Sequence, residues 1–167
     1  DIISNKIRYK TINYQGNIVR VQIDKPVYKK KDIKINNACG NYLDSGAKHL
    51  VINYDDDWSN KEELKKKMEK MRYDKLFYPD GINVNFYKQI DLNTIQVKTY
   101  EKGIESLMNS CASGSFACAY DYSKNSNIKS IKIINDGGNS EILFDNNYKT
   151  NFFSSKAIIE FKGNIEV

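Results

Sequence analysis

The segment YEKGIESLMNSCASGSFACAY, Tyr100 to Tyr120, places a carboxylate, a thiol and a run of small residues close together. Cys111 directly precedes the small residues, whose composition predicts a tightly packed helix. At a helix N-terminus, free backbone N–H groups and the helix dipole favour negative charge. We therefore expect a stabilised thiolate at Cys111, which would make this cysteine a better base or nucleophile. The alternative is a buried structural cysteine at the start of a helix.

The residues around Cys111 add groups that could bind an anion and move a proton. The backbone N–H groups of Ala112, Ser113 and Gly114 could hold a carboxylate or a phosphate, because small side chains let a ligand approach. Glu101, ten residues before Cys111, could orient the thiol or accept its proton. The sequence has one histidine, His49, so any mechanism that needs histidine must use it.

The cysteine count bounds the redox chemistry and the metal chemistry. Three cysteines without a C-x-x-C pair argue against a disulfide framework and against a zinc site, and no metal is expected. Free thiols fit a reducing compartment, so we expect a cytoplasmic protein. Cys118, inside the small-residue helix, is predicted to be buried and inert. Cys39 lies in a predicted loop, and the sequence assigns it no role.

Composition narrows the class of partner. The chain has 167 residues, of which 40% are hydrophobic and 28% charged, as in a soluble globular protein of one domain or two small ones. The net charge of +5 comes from scattered lysines, so nucleic acid is not an expected partner. No apolar run is long enough to span a bilayer, so no membrane is expected either. The chain begins at Asp1 rather than Met, which favours a processed product or an excised fragment.

Alternating apolar residues predict two hairpins and several further strands. KIRYKTI and NIVRVQI form the first hairpin, with Gly16 in its turn and Pro26 after its end, and INVNFYKQI and TIQVKTY form the second. KHLVINY is a short apolar strand that follows a lysine-rich connection. The remaining predicted strands, with a Gly137-Gly138 turn, are IKSIKIIN, SEILF and AIIEF.

Two helices are inserted among these strands. DDDWSNKEELKKKMEKMRYD predicts one helix with a Ser59–Glu62 capping box and an apolar stripe of Leu64, Met68 and Met71. SGSFACAYDYS predicts the second. Many antiparallel strands with two inserted helices indicate the α+β class.

Five segments, in order along the chain, are similar to motifs of one enzyme family. They are DSGAKHLVI, GINVNF, YEKGIESLMNSCASGSFACA, NDGGNSEILF and AIIEFKGNIEV, and the sole histidine falls on the histidine of the family motif. Together they resemble diaminopimelate epimerase and its relatives, the cofactor-independent amino-acid racemases. The resemblance implies that residues 1–167 form the C-terminal domain of a diaminopimelate epimerase-like fold, with mostly antiparallel strands wrapped around a central helix.

The resemblance also implies a partner domain. Members of the family have two similar domains that face each other across a cleft, and each domain donates one cysteine. The Asn-Gly-rich segment that precedes the first cysteine is not in this sequence, so the N-terminal half would be a missing partner and the fragment alone would be inactive. A homodimer is compatible with the same resemblance.

The implied function is that of an isomerase without pyridoxal phosphate or another cofactor. It would convert LL- to meso-diaminopimelate, in lysine and cell-wall biosynthesis, with one cysteine thiolate and one cysteine thiol as the two bases. By the resemblance Cys111 is one of these cysteines, Glu101 assists it, and His49 assists the cysteine of the missing half. The residues expected to bind the substrate are Asn83, Lys102 for a distal carboxylate, and Ala112, Ser113 and Gly114 for the α-carboxylate.

Departures from the family motifs keep other functions open. Ala47 and Lys48 replace asparagine and proline, Lys102 replaces arginine, and Cys-Ala-Ser-Gly-Ser replaces Cys-Gly-Thr-Gly-Ala. The NSC segment is similar to histidine racemases of metallophore pathways, so the substrate could be another amino acid. Two further alternatives are a protein of this fold that only binds a small ligand, and a thiol hydrolase or transferase. The thiol enzyme requires Cys111 and His49 within hydrogen-bond reach, whereas a long distance favours the epimerase.

Overall fold

The computed structural model describes residues 2–4, 7–9, 11–158, 160 and 163. The two α-helices found there are α1 (Lys61–Arg72) and α2 (Ala112–Ser126), and a 3-10 turn covers Lys75–Phe77. In this part of the chain neither helix combines the length and apolar character needed to cross a membrane. The strands are β1 (Ile2–Ser4), β2 (Ile7–Tyr9), β3 (Thr11–Gln15), β4 (Ile18–Ile23), β5 (Val27–Ile35), β6 (Ala38–Asp44), β7 (Lys48–Asn53), β8 (Asn83–Asp91), β9 (Thr94–Glu101), β10 (Ser106–Met108), β11 (Ser130–Asn135), β12 (Gly138–Phe144) and β13 (Asn151–Lys156).

Eleven of the described strands form one sheet, and β1 and β2 form a separate ribbon. The order along the sheet is β3-β4-β13-β12-β11-β9-β8-β7-β6-β5, and the short strand β10 pairs with the end of β9. Within the described residues only β7 with β8 and β9 with β11 run parallel. Parallel neighbours need a crossover segment, and these two crossovers carry α1 and α2. The predicted α+β class is confirmed.

Helix α2 lies at the centre of the fold, as expected. Its residues from Gly114 to Ser123 are all buried, and the helix packs on β6, β7, β8, β9 and β11. The small side chains that suggested close packing are in the core: Ala117, Cys118 and Ala119 have no exposed surface. A helix buried on nearly every side has little freedom to shift, so its first turn is held in a defined place.

A buried carboxylate fixes α2 against three strands. Asp121, 3% exposed, accepts hydrogen bonds from the Tyr28 hydroxyl at 2.8 Å and from the Asn41 amide nitrogen at 2.8 Å. The Tyr87 hydroxyl donates to its other oxygen at 3.0 Å. A buried charge needs such donors to offset the loss of water. The three donors come from β5, β6 and β8, so this one side chain joins the helix to the sheet.

Helix α1 covers another part of the sheet and confirms the predicted apolar stripe. Leu64, Met68 and Met71 are buried, and the helix packs on β8 and β9. The predicted Ser59–Glu62 capping box is wrong by one position, because Asn60 caps the helix. Its side-chain oxygen accepts from the backbone N–H of Glu63 at 3.1 Å. Asparagine is as good an N-cap residue as serine, and both precede the helical stretch.

The lysine-rich connection predicted before β7 is instead the hairpin of β5 and β6. Asn36 and Asn37 make its turn with φ values of 47° and 63°, the left-handed conformation that two-residue hairpin turns require and asparagine tolerates. Ile33 and Ile35 face the core while lysines face solvent. Strand β5 was missed because the lysines on its exposed face make its short alternation of apolar residues difficult to recognise.

Both ends of the predicted strand pattern also change. KIRYKTI is divided between β2 and β3, and the first hairpin of the sheet joins β3 to β4 through Gly16, which has a φ of 62°. The second hairpin, β8 with β9, is confirmed. AIIEF was predicted as a strand, but Ala157, Ile158 and Glu160 have no strand structure, and its remaining residues lie outside the described residues. The last described strand is β13, which the sequence did not indicate.

We expect Gly40→Ala to destabilise the sheet next to the site. A Cβ at this position of β6 would lie 2.6 Å from Ile52 Cγ1 and 2.8 Å from the backbone oxygen of Val51. Overpacking of this kind costs about 1 to 3 kcal/mol in the free energy of unfolding, measured by urea denaturation. The matched control is Gly163→Ala, where a Cβ would meet no atom of the described residues within 4 Å. Equal stability of both variants would contradict the packing described for β6 and β7.

Candidate functional site

Cys111 caps the N-terminus of α2, as the sequence predicted. It has extended backbone angles, φ −140° and ψ 110°, and its carbonyl accepts the first bond of the helix from Ser115 N at 2.9 Å. The sulfur takes the place of the usual capping oxygen and accepts from Gly114 N–H at 3.4 Å. The thiol therefore lies at the positive end of the helix and is partly exposed.

The first turn of α2 lies directly on the side chain of Asn85 in β8. A Cβ on Gly114 would be 2.2 Å from Asn85 Oδ1 and 3.2 Å from Thr99 Oγ1. Any larger residue there would require the Asn85 side chain or the helix to move. The sequence indicated Gly114 only as a backbone donor to an anion, so its packing role is an addition.

A chain of hydrogen bonds connects the strands to the thiol. Asn85 Nδ2 lies 2.9 Å from His49 Nδ1, and His49 Nε2 lies 3.0 Å from Ser113 Oγ. Ser113 Oγ in turn lies 3.6 Å from Cys111 Sγ. His49 and Cys111 are thus separated by one hydroxyl group, an arrangement that lies between the direct contact and the long distance considered from sequence.

His49 is fully buried in β7, and it is neutral. Burial lowers its pKa to about 4, because the charged imidazolium would lose its hydration. The Asn85 hydrogen bond and the charge of Asp44 raise this pKa, but burial has the larger effect. A neutral histidine can position a neighbour through a hydrogen bond without adding charge to the site.

Glu101 faces Cys111 from the end of β9. The turn that follows is closed by the bond from Glu105 N–H to the Glu101 carbonyl at 2.9 Å. Glu101 Oε2 is buried and has no hydrogen-bond partner among the described residues. A carboxylate oxygen in this condition is available to accept a hydrogen bond from a donor that enters the site.

The expectation of a stabilised thiolate at Cys111 is wrong for this structure. Burial raises the pKa of the thiol, which opposes the hydrogen bonds from Ser113 and Gly114 that lower it. The nearby negative charge of Glu101 raises the pKa further, because it opposes a second negative charge on the sulfur. Cys111 is therefore a neutral thiol near pH 7. Burial also raises the pKa of Cys118 well above its ordinary value, in agreement with an inert residue, whereas Cys39 is exposed in β6.

Asn83 and Lys102, both predicted to bind substrate, are joined to each other. Asn83 Oδ1 accepts from the backbone N–H of Lys102 at 2.7 Å, and Asn83 Nδ2 donates to the Lys48 carbonyl at 3.0 Å. Asn83 therefore fixes the backbone on both sides of the site, and the Lys102 side chain extends into solvent. A role in substrate contact stays a prediction for both residues.

The buried Arg72 holds the turn that carries Lys102. Arg72 Nη2 contacts Glu105 Oε1 at 2.9 Å, and Arg72 Nη1 donates to the Asp80 carbonyl at 3.1 Å. This guanidinium links the end of α1 to the turn after Glu101 and to the turn before β8. Neither Arg72 nor Glu105 was indicated by sequence reasoning.

Asn85 was also missed, although the sequence contained a signal for it. Asn83 and Asn85 alternate along β8 and face the same side of its buried first half, which is otherwise apolar. Polar side chains on the buried face of a strand need partners, and such positions are candidates for a hydrogen-bond network. His49 pairs with Asn83 in the parallel register of β7 and β8, which brings these polar groups together.

The backbone donors of the first turn are partly used. Gly114 N–H donates to the Cys111 sulfur, whereas Ala112 and Ser113 lie in the turn whose N–H groups have no acceptor within the helix. Ala112 is exposed, and Ser113 is half-buried. Among the described residues, two of the three predicted donors thus have no acceptor and could bind an anion.

A cavity of about 570 Å³ adjoins this turn. Its apolar walls come from β4, β13 and Phe116, and its charged rim comes from Asp24, Lys25 and Asp44. Ala112 and Ser113 line it, whereas Cys111, Glu101 and His49 do not. Across the described residues, no group of three histidine, cysteine or acidic side chains is placed to hold a metal ion.

The buried neutral histidine predicts a loss of stability in acid. Between pH 6.5 and about 4, His49 is protonated in the unfolded chain but not in the folded chain. The free energy of unfolding therefore decreases as the pH is lowered. The loss specific to His49 is about 3 kcal/mol over this window. Urea denaturation of wild type and His49→Gln should show a stability difference that shrinks as pH falls. A difference independent of pH would show that His49 is not buried and neutral.

Glu101→Gln should lower the pKa of the Cys111 thiol. The substitution removes the negative charge that opposes a thiolate at Cys111. The rate of alkylation by iodoacetamide should then reach its midpoint at a lower pH. The measurement uses a Cys39→Ser background, because Cys39 is exposed, and Glu141→Gln serves as the control on a distant strand. A midpoint that does not move would place Glu101 away from the thiol.

Curated proteins named diaminopimelate epimerase match this chain. The one from Aquifex aeolicus (strain VF5) is 32% identical over 129 residues, or 71% of this chain and 46% of that protein. The one from Flavobacterium psychrophilum is 30% identical over 167 residues, or 92% of this chain and 61% of that protein. The one from Methanocella arvoryzae is 36% identical over 113 residues, or 61% of this chain and 39% of that protein. The chain thus spans about half the length of the curated relatives it matches, and no family model matches it.

Solved structures share the fold at low sequence identity. A PhzF-family phenazine biosynthesis protein from Enterococcus faecalis aligns with a TM-score of 0.58 at 10% identity, over 92% of this chain and 60% of that one. A PhzF-family protein from Bacillus anthracis aligns with a TM-score of 0.56 at 9% identity, over 89% and 61% of the two chains. Identity this low shows a common fold alone. The resemblance found in the sequence is confirmed, and this chain is a homologue of the diaminopimelate epimerases with the fold of the PhzF-family structures.

Proposed function

We propose that this chain is the C-terminal domain of a cofactor-independent amino-acid epimerase or racemase, with diaminopimelate as the leading substrate. The observation that carries the proposal is the arrangement around Cys111. A thiol caps a helix, a carboxylate faces it, and two backbone N–H groups lie beside it. The homologues named diaminopimelate epimerase supply the class of reaction.

The reaction removes the α-proton of an amino acid on one face and returns a proton on the other. Two bases on opposite faces are needed, one present as thiolate and the other as thiol. The raised pKa of Cys111 suits it to be the thiol that delivers a proton. In the reverse direction Glu101 accepts the thiol proton, so Cys111 can then act as the base. The second base is the cysteine of the missing N-terminal half.

The carbanion formed in this reaction carries its charge on the α-carboxylate. In the proposed complex the N–H groups of Ala112 and Ser113 bind that carboxylate at the positive end of α2. Donors fixed in place before the reaction stabilise developing charge without reorganisation. Closure of a second domain over the site would exclude water and strengthen these interactions.

The distal end of the substrate would meet the turn that carries Lys102. The Lys102 ammonium is a point charge on a flexible stem, whereas arginine would offer a fork that matches a carboxylate. Asn83 and Arg72 hold this turn in place, so the cation emerges from a fixed backbone. A distal carboxylate favours diaminopimelate, and a substrate with another side chain, such as histidine, is the alternative within the class.

The thiol hydrolase or transferase receives less support from the geometry. Its base must take the proton of Cys111 directly. His49 instead lies one hydroxyl away, and its lowered pKa makes it a weak base. A ligand-binding protein without activity would keep the donors of the helix and show no proton exchange, so the experiment below separates it from the epimerase.

The intact protein, with its N-terminal half, should exchange the α-proton of its substrate in deuterated water. Diaminopimelate, histidine and a panel of other amino acids are compared by proton NMR. Cys111→Ala should abolish the exchange, because one of the two bases is then absent. Cys118→Ala, in the same helix, is the matched control and should retain most of it. Absence of exchange with every amino acid, in a folded intact protein, would refute the proposed function.

A further inference from the structure

We propose that Asn85 is a positioning residue for Cys111, because it fixes the tautomer of His49 and so makes the Ser113 hydroxyl a donor to the sulfur. The four side chains form a directed chain of donors that begins in β8 and ends at Cys111. The importance of these hydrogen bonds for turnover rests on the proposed function. Their direction does not.

The orientation of the Asn85 carboxamide is determined by its surroundings. One contact is the backbone carbonyl of Leu50, 3.2 Å from Nδ2, and a carbonyl can only accept. The nitrogen must therefore face Leu50, and the oxygen faces the Thr99 hydroxyl at 2.9 Å. The second hydrogen of Nδ2 is then available to His49 Nδ1 at 2.9 Å. Asn85 and His49 have no exposed surface and Thr99 is 2% exposed, so water does not compete.

The Asn85 contact sets the proton position on His49. Because Nδ1 accepts a hydrogen bond, the proton of the neutral ring must be on Nε2. Nε2–H then donates to Ser113 Oγ at 3.0 Å. A carboxylate in place of the carboxamide would favour the opposite tautomer, because it accepts from Nδ1–H and cannot donate.

The state of His49 in turn sets the direction of the Ser113 hydroxyl. With one lone pair engaged by Nε2–H, the hydroxyl proton is free to point at Cys111 Sγ, 3.6 Å away. Gly114 N–H donates to the same sulfur at 3.4 Å. Two donors on the sulfur favour the thiolate, and they oppose the burial and the Glu101 charge that favour the thiol. Ser113 is thus the donor whose direction can change, and this direction affects whether the sulfur favours the thiolate or the thiol.

Other charged or titratable groups face the same atoms and are kept constant in the test. Glu101 acts on Cys111, Cys111 acts on Cys118, and Asp44 acts on His49. None of these residues is changed in the variants below, so Ser113→Ala reports on the donor chain without a change of charge.

The first test reads the tautomer directly. The chain has a single histidine, so nitrogen NMR of the ring gives one unambiguous pair of signals. We expect a protonated Nε2 and an unprotonated Nδ1 at pH 7 in wild type, and the reverse in Asn85→Asp. A protonated Nδ1 in wild type would overturn the proposal, and this measurement needs no variant to fold.

The second test measures the effect on the thiol, again in the Cys39→Ser background. Ser113→Ala should raise the midpoint pH of Cys111 alkylation, which makes the reaction about tenfold slower at a fixed pH below the midpoint. Ser113→Thr retains the hydroxyl and should restore the wild-type midpoint. An unchanged midpoint in Ser113→Ala, or no recovery in Ser113→Thr, would contradict a donor role for the hydroxyl.

A double-variant cycle separates the donor chain from the charge that aspartate adds. If Asn85 acts through Ser113, Asn85→Asp shifts the midpoint less in the Ser113→Ala background than in wild type. Equal shifts in both backgrounds would show that only the new charge acts and would overturn the proposal. None of these three measurements uses a substrate. Failure of proton exchange together with success here would refute the proposed function and leave the donor chain intact.

Discussion

The contact between Gly114 and Asn85 is the constraint on which the site depends. Because Gly114 has no side chain, the backbone of the first turn of α2 packs closely against the Asn85 carboxamide of β8. That approach brings Ser113 to His49 and places Cys111 at the end of the same network. A methyl group at Gly114 would collide with the Asn85 side chain, so the carboxamide or the helix would have to move and the network would be disturbed.

The site balances effects of opposite sign on one sulfur atom. The helix N-terminus contributes on the order of 0.3 to 1 kcal/mol in favour of a negative charge. Removing a charged group from water has a larger effect, and here burial is the largest influence on Cys111. Cys111 is therefore a neutral thiol beside the Glu101 carboxylate. The thiol keeps its proton until it reacts with a substrate. A domain that closes over this surface would change the balance again, because it would alter burial and charge together.

The sequence predicted those parts of the fold in which local pattern and burial agree. The apolar stripe of α1, the hairpin of β8 and β9, and the position of Cys111 at a helix start all follow from residues near one another in the chain. The strands β5 and β6 were missed because lysines dominate the exposed face and local composition then resembles a linker. The last described strand, β13, has too little apolar alternation to be recognised.

The candidate site was likewise predicted only in part from the sequence. Glu101 was associated with Cys111 from spacing, and the structure brings them together. The pKa direction of Cys111 was wrong because it depends on burial, which a helix N-terminus alone does not reveal. Asn85 and Arg72 act through long-range contacts to His49 and Glu105, and sequence distance gives no indication of those partners. The roles of Asn83 and Lys102 toward a substrate stay predictions.

The lysines of β5 have a consequence for the behaviour of the whole sheet. This strand forms one edge of the sheet, and its pairing with β6 is interrupted near Lys30 and Ile33. Asp32, beside the second interruption, has a positive φ of 53°. An irregular edge with a row of charges is a poor template for another strand, since docking would bring lysines together and misalign the hydrogen bonds. The lysines that made β5 difficult to recognise in the sequence thus protect the protein against fibrillar self-association through this edge.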